Sequence, residues 1–184
     1  LPNPIEQAFI CNGMLPPFSV PEAAPDLSAV RAMRKDGFSE QIGNGILELC
    51  RAADLTFLAL HGGVGENGSL QAFFDLCDIK YTGNPSIGCA LAMDKSVSKS
   101  LLRSEGVLTA DWAVARKGIP FDTEHFPIPC VVKPNSGGSS IGVEIVRSRE
   151  ALAPAIEAGF AFEDELIVEA YISGMELSAG VIGI

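Results

Sequence analysis

The sequence has no CxxC pair and no cluster of cysteine with histidine: its five cysteines, Cys11, Cys50, Cys77, Cys89 and Cys130, are odd in number and widely separated. That pattern excludes a disulfide framework and a zinc finger, and reads as reduced packing residues of a cytosolic protein. A basic start and an apolar leader are also lacking, because the chain opens LPNPIEQAF. The longest apolar run, Leu55 to Leu60 with one threonine inside it, is too short to span a bilayer. Neither export nor membrane insertion is expected. Basic residues are scarce, thirteen against twenty-three acidic, and the net charge of −10 would repel a polyanion. Nucleic acid is therefore not an expected partner.

What is present has an ordinary globular composition, 47% hydrophobic and 20% charged, enough for a real core. Residues 1 to 25 are rich in proline and show no sustained period, although Gln7 to Cys11 has the makings of a short strand. Asp26 is placed to cap a helix over Leu27 to Lys35, and Ile42, Ile46, Leu49, Cys50 and Ala53 recur at helical spacing. Leu55 to Leu60 reads as a fully buried strand that stops at His61, in the glycine-rich run HGGVGENG. A helix follows from Ser69, then a short strand and turn over Lys80 to Gly83. The spacing predicts further helices from Ser86 and from Asp94, the latter ending at Gly106.

Beyond Gly106 the pattern turns richer in strands: around Val114, over Cys130 to Lys133, over Val143 to Arg147, over Leu166 to Tyr171 and over Glu176 to Ile182, with a helix from Ser148 to about Phe160. The expected fold class is α/β followed by α+β, with a boundary near Pro85. Because the chain ends inside a strand pattern, at Ile184, truncation is expected.

The sharpest chemical feature is KPNSGGSS, a lysine at a strand end followed by small residues. Gly137 and Gly138 let backbone N–H groups approach an anion, Ser136, Ser139 and Ser140 add hydroxyl donors, and Lys133 adds a fixed charge. This is a phosphate grip without the Walker order, since the lysine precedes the glycines and no GKS or GKT follows. A glycine-rich hairpin loop with a solvated lysine is the alternative, and the motif alone does not choose. Two further features bear on it. Lys95 and Lys99 lie one turn apart at a helix start, where anions are favoured. Glu169 and Glu176 flank a Ser-Gly turn and could hold hydroxyls or an amine.

Together these pieces resemble the D-alanine–D-alanine ligase family of the ATP-grasp superfamily, with its D-alanine–D-lactate and D-alanine–D-serine relatives. LHGGVGENGSLQ is similar to that family's LHGxxGEDGxxQ, YTGNP to its YTG, AMDK to its MDK, VVKPNSGGSSIGV to its VKPxxxGSSxGV, and IVEAYISGMEL to its hinge. The resemblance implies an ATP-grasp fold: an incomplete N-terminal α/β substrate domain over 1–84, a central nucleotide-binding domain over 85–174 and the start of a C-terminal domain over 175–184. It implies ATP-driven joining of two D-alanines through an acyl phosphate, for peptidoglycan precursors, in a cytoplasmic homodimer using magnesium.

By the same resemblance Lys95, Lys133, Ser136, Gly137, Gly138, Ser139 and Ser140 would hold the phosphates, and Ser139 would be the catalytic-loop serine. Glu169, Ala170, Tyr171 and Ile172 would meet the adenine edge, Glu176 the ribose or the closing loop, and His61 and Glu66 the D-amino acid. Asn67 and Ala170 depart from the family's acidic and basic residues at those positions. The glycine-rich first strand has no counterpart before Phe9, and the magnesium ligands are expected beyond Ile184, none being assigned here. His125 reads as surface.

Overall fold

The structure, a computed structural model, describes residues 22–23, 26–32, 42–43 and 45–181. The strand expected at Gln7 to Cys11 lies outside them. The chain divides into two units, residues 1–59 with 73–83, and residues 60–72 with 84–184. Each is taken separately.

In the first unit, Asp26 caps α1 (Leu27–Ala32), its carboxylate accepting from the amides of Ser28 and Ala29 at 2.8 and 3.3 Å. The second helix, α2 (Ile46–Ala52), takes part of the predicted period, while Ile42 stays outside it as a bend. The fully buried strand expected at Leu55 to Leu60 is not formed. Only Thr56 pairs, by a single parallel bridge to Tyr81, and Phe57 is 77% exposed. A strand exists only through neighbours that satisfy its amides and carbonyls, and among the described residues only the 80–82 segment supplies any. The second turn of α3 (Ser69–Leu76) brings Phe74 against Tyr81, with ring centres 5.9 Å apart.

The second unit carries the larger core. Helix α4 (Ser86–Met93) is followed directly by α5 (Lys95–Ser104), and Asp94 between them accepts from the Val97 amide as the N-cap. The end of α5 is closed by Gly106 at φ +76°, the left-handed position read from the sequence. Four strands, β1 (Trp112–Arg116), β2 (Cys130–Pro134), β3 (Glu144–Val146) and β4 (Glu165–Ala170), form an antiparallel sheet in the order β1-β4-β2-β3. Helix α6 (Arg149–Gly159) covers one face.

Alternation along the strands decides which side chains go where. Ala115, Cys130, Val132, Val146, Leu166 and Val168 point under α6 and pack on Leu152, Ala155 and Ile156. Val131, Lys133, Ile145 and Glu169 belong to the other face, where Ile167 is buried and Lys99 of α5 packs on Glu169 while the part beside Val131, Lys133 and Ile145 stays open. The strand expected over Glu176 to Ile182 is absent from 176 to 181, where the backbone is irregular and exposed, and Ile182 lies outside the described residues. Its apolar alternation has no partner strand there, so no ladder forms.

Candidate functional site

The open face of the sheet floors a cavity of about 430 Å³. Its lining combines apolar Val131, Ile141, Val143 and Ile145, charged Lys95, Lys133 and Glu169, and the loop residues Gly137 to Ser140. Ala170, Tyr171, Ile172 and Glu176 close the remaining wall. A cavity with an apolar floor and a few convergent charged groups is the usual form of a small-molecule site.

Lys133 reaches this cavity because β2 ends there with its odd-numbered residues on the open face. Its ammonium donates to Glu169 Oε1 across the neighbouring strand. The second carboxylate oxygen, Glu169 Oε2, pairs with Lys99 Nζ at 3.0 Å. Burial alone would raise the Glu169 carboxyl, but the hydrogen bonds and charges of Lys133 and Lys99 outweigh it and hold the group below the ordinary carboxylate range.

Lys95 stands at the first position of α5, and its ammonium donates to the carbonyls of Pro134, at 2.9 Å, Asn135, at 3.1 Å, and Gly137. Three donors meet three acceptors, so Lys95 is tied to the base of the glycine loop. Burial lowers its pKa, and the like charge of Lys133 lowers it further against the opposing pull of Glu163, Glu169 and Asp94. An arriving anion would relieve that crowding of positive charge.

The loop itself departs from the expected arrangement at Ser136. Its amide and hydroxyl donate to the Glu163 carboxylate, at 2.9 and 2.5 Å, and Ser136 does not line the cavity. Hydrogen bonds to a charged carboxylate acceptor are stronger than those to neutral acceptors, so both donors of Ser136 turn toward Glu163. Gly137, Gly138, Ser139 and Ser140 remain on the rim. Ser139 and Ser140 hold left-handed backbones, φ +54° and +58°. Ser139 Oγ lies 2.8 Å from His61 Nε2.

His61 and Glu66 are not part of the cavity lining. His61 touches its rim through Ser139, and Glu66 accepts from the Gly62 amide at 2.7 Å, folding the HGGVGENG turn on itself. Asn67 Oδ1 accepts from the Ser69 amide and so supports the start of α3. His125 is exposed and pairs with Asp122, as a surface residue would. On the hinge side, the Ala170 amide donates to Asp111 O and the Tyr171 amide to Pro129 O, so both are already used by the sheet.

Three residues of this arrangement were not singled out as site residues in the sequence. Lys99 was visible as the partner of Lys95 one turn on, but its burial against β4 was not. Asn135, buried, accepts from the Ser96 amide and donates to Glu165, joining the loop base to α5 and β4. Glu163 leaves no local signal, being 27 residues from Ser136.

Comparison with known proteins places two family models on the chain: "D-ala D-ala ligase N-terminus" over residues 18–84 and "D-ala D-ala ligase C-terminus" over residues 101–184. A D-alanine–D-alanine ligase of Pediococcus pentosaceus is 42% identical over 179 residues, 96% of this chain and 51% of that protein. One from Lacticaseibacillus casei is 36% identical over 97% of this chain and 50% of its own length. The chain thus spans about half the length of the curated relatives it matches. Among solved structures, the D-alanine–D-alanine ligase of Bacillus anthracis complexed with ATP is similar with a TM-score of 0.64 at 36% identity, over 70% of this chain and 44% of that one. The VanG D-Ala:D-Ser ligase of Enterococcus faecalis matches with a TM-score of 0.60 at 33% identity, over 66% and 37%.

Proposed function

Since the chain belongs to the D-alanine–D-alanine ligase family, matching both of its halves in order, we propose that the cavity on the open sheet face holds ATP for the joining of two D-alanines. The observation that carries this reading is that Lys133, Lys95 and the loop residues Gly137 to Ser140 line one cavity together with the apolar Val131, Ile141, Val143 and Ile145. Cationic side chains and apolar surface in one cavity suit a triphosphate and a base.

In the proposed reaction a carboxylate oxygen of the first D-alanine attacks the γ-phosphorus, an O–P bond forms, and ADP leaves. The amine of the second D-alanine then attacks the acyl carbon, and inorganic phosphate departs as the peptide bond forms. Lys133 would turn its ammonium from Glu169 to a phosphate oxygen, and the backbone amides of the loop would meet developing charge in place of water. Ser136 would join this set only by giving up its bonds to Glu163. Ala170 to Ile172 and Glu176 would border the base and ribose, and His61 and Glu66 the amino acid.

On this reading residues 1–84 belong to the substrate domain, 85–174 to the central ATP-grasp domain, and 175–184 open the C-terminal one. A cytoplasmic homodimer serving peptidoglycan synthesis belongs to the same proposal. Among the described residues no helix is long and apolar enough to cross a membrane. Magnesium would enter as the companion of the nucleotide; among the described residues no three His, Cys, Asp or Glu side chains gather to hold a metal.

The test is to supply the full-length protein with ATP, magnesium and D-alanine, and to measure phosphate and D-alanyl-D-alanine together. One phosphate per dipeptide is expected. Phosphate without dipeptide would refute ligation, and a product formed only when D-lactate or D-serine is added would reassign the second substrate.

A further inference from the structure

Lys99 is the one lysine among the described residues that is buried, at 9% exposure, and it does not line the cavity. A buried ammonium must find partners to replace its hydration. It donates to Thr109 Oγ1 at 2.6 Å, pairs with Glu169 Oε2 at 3.0 Å, and stands 5.2 Å from the centre of the Trp112 ring. The Trp112 ring is held from its own side as well, by the Arg103 guanidinium at 4.4 Å. Glu169 Oε1 meanwhile takes the Lys133 ammonium. One carboxylate therefore bridges two lysines, Lys133 lining the cavity and Lys99 behind it.

We propose that Lys99 is a positioning residue for nucleotide binding: it keeps hold of Glu169 through Oε2, so that Lys133 can leave Oε1 for a phosphate oxygen. The inference rests on the reading of the cavity as an ATP site. Without Lys99, a phosphate would draw away the only cation that Glu169 has and strand a half-buried carboxylate, which is strongly unfavourable. With Lys99 in place the carboxylate keeps a partner while Lys133 changes sides. Thr109 and Trp112 hold Lys99 where it is, so it does not follow Lys133 toward the ligand. A role confined to packing makes a different prediction, because loosening α5 would matter equally whether residue 169 carried a charge or not.

Calorimetric titration of ATP into the full-length protein distinguishes these. Lys99→Met is expected to weaken ATP binding by about tenfold or more, the usual weight of one charge-assisted contact. Combined with Glu169→Gln, the loss should vanish: the double variant should bind ATP within about twofold of Glu169→Gln alone, the non-additivity that marks direct coupling. Should Lys99→Met fail to fold, Lys99→Gln, which keeps a hydrogen bond to Thr109 without the charge, carries the same comparison. An equal loss with Glu or Gln at 169 would overturn the proposal and leave Lys99 a packing residue. Lys133→Ala is measured beside them as the control on the nucleotide reading itself. If that variant binds ATP like the wild type, the cavity is not the phosphate site, a result separate from the behaviour of Lys99.

Discussion

Glu169 stands between two ammonium groups, and its ionisation ties the site to the stability of the sheet. Its folded pKa lies below the ordinary glutamate value because, although burial raises it, the contacts from Lys133 and Lys99 outweigh that effect. A depressed carboxylate contributes stability that is present above the unfolded pKa and is lost as pH falls through the folded one. The stability difference between wild type and Glu169→Gln should thus be largest above about pH 5 and shrink below about pH 4, near the unfolded value. Denaturant titrations across that range check it. A difference that stayed constant with pH would mean that Glu169 is not ionised in this pair.

At the scale of the element, the loop after β2 is the part whose behaviour should change with ligand. Its base is fixed, by Lys95 on three carbonyls and by Glu163 on Ser136, while Gly138, Ser139 and Ser140 are exposed. Two serines with left-handed backbones store strain of about 1–2 kcal/mol each, and the His61 contact is the side-chain bond that meets it. Hydrogen exchange should show the amides of residues 137–140 slowing with ATP while those of β2 stay unchanged. Equal exchange with and without nucleotide would rule out closure of the loop. Gly142, just beyond, sits at φ +71° where a Cβ would meet Phe162 at 2.9 Å and Pro134 at 3.0 Å, so the loop's exit is fixed by backbone shape.

The elements also show why some of this was legible in the sequence. Caps are local chemistry: Asp26, Asp94 and Gly106 announced helix ends within a turn of where they act. Strands are not local: among the described residues Leu55 to Leu60 finds only the bridge from Thr56 to Tyr81, and residues 176–181 form no ladder. At the site, Lys133 and the glycine loop were readable because one short segment contains them. The turn of Ser136 toward Glu163 and the bridge from Lys99 to Glu169 depend on pairings between β2, β4 and α5, which no single segment encodes.

For the molecule as a whole, a net charge of −10 coexists with two lysines, Lys95 and Lys133, lining one cavity and a third, Lys99, behind Glu169. Two lysines facing one small cavity in an acidic protein suit a small anion with a compact charge better than a nucleic acid chain. The central claim is that this cavity grips the phosphates of ATP, and Lys133→Ala in the full-length protein tests it most directly. Loss of a charge-assisted contact worth about 1.5–3 kcal/mol predicts ATP affinity or kcat reduced by at least tenfold. ATP binding and turnover equal to those of the wild type would contradict the account.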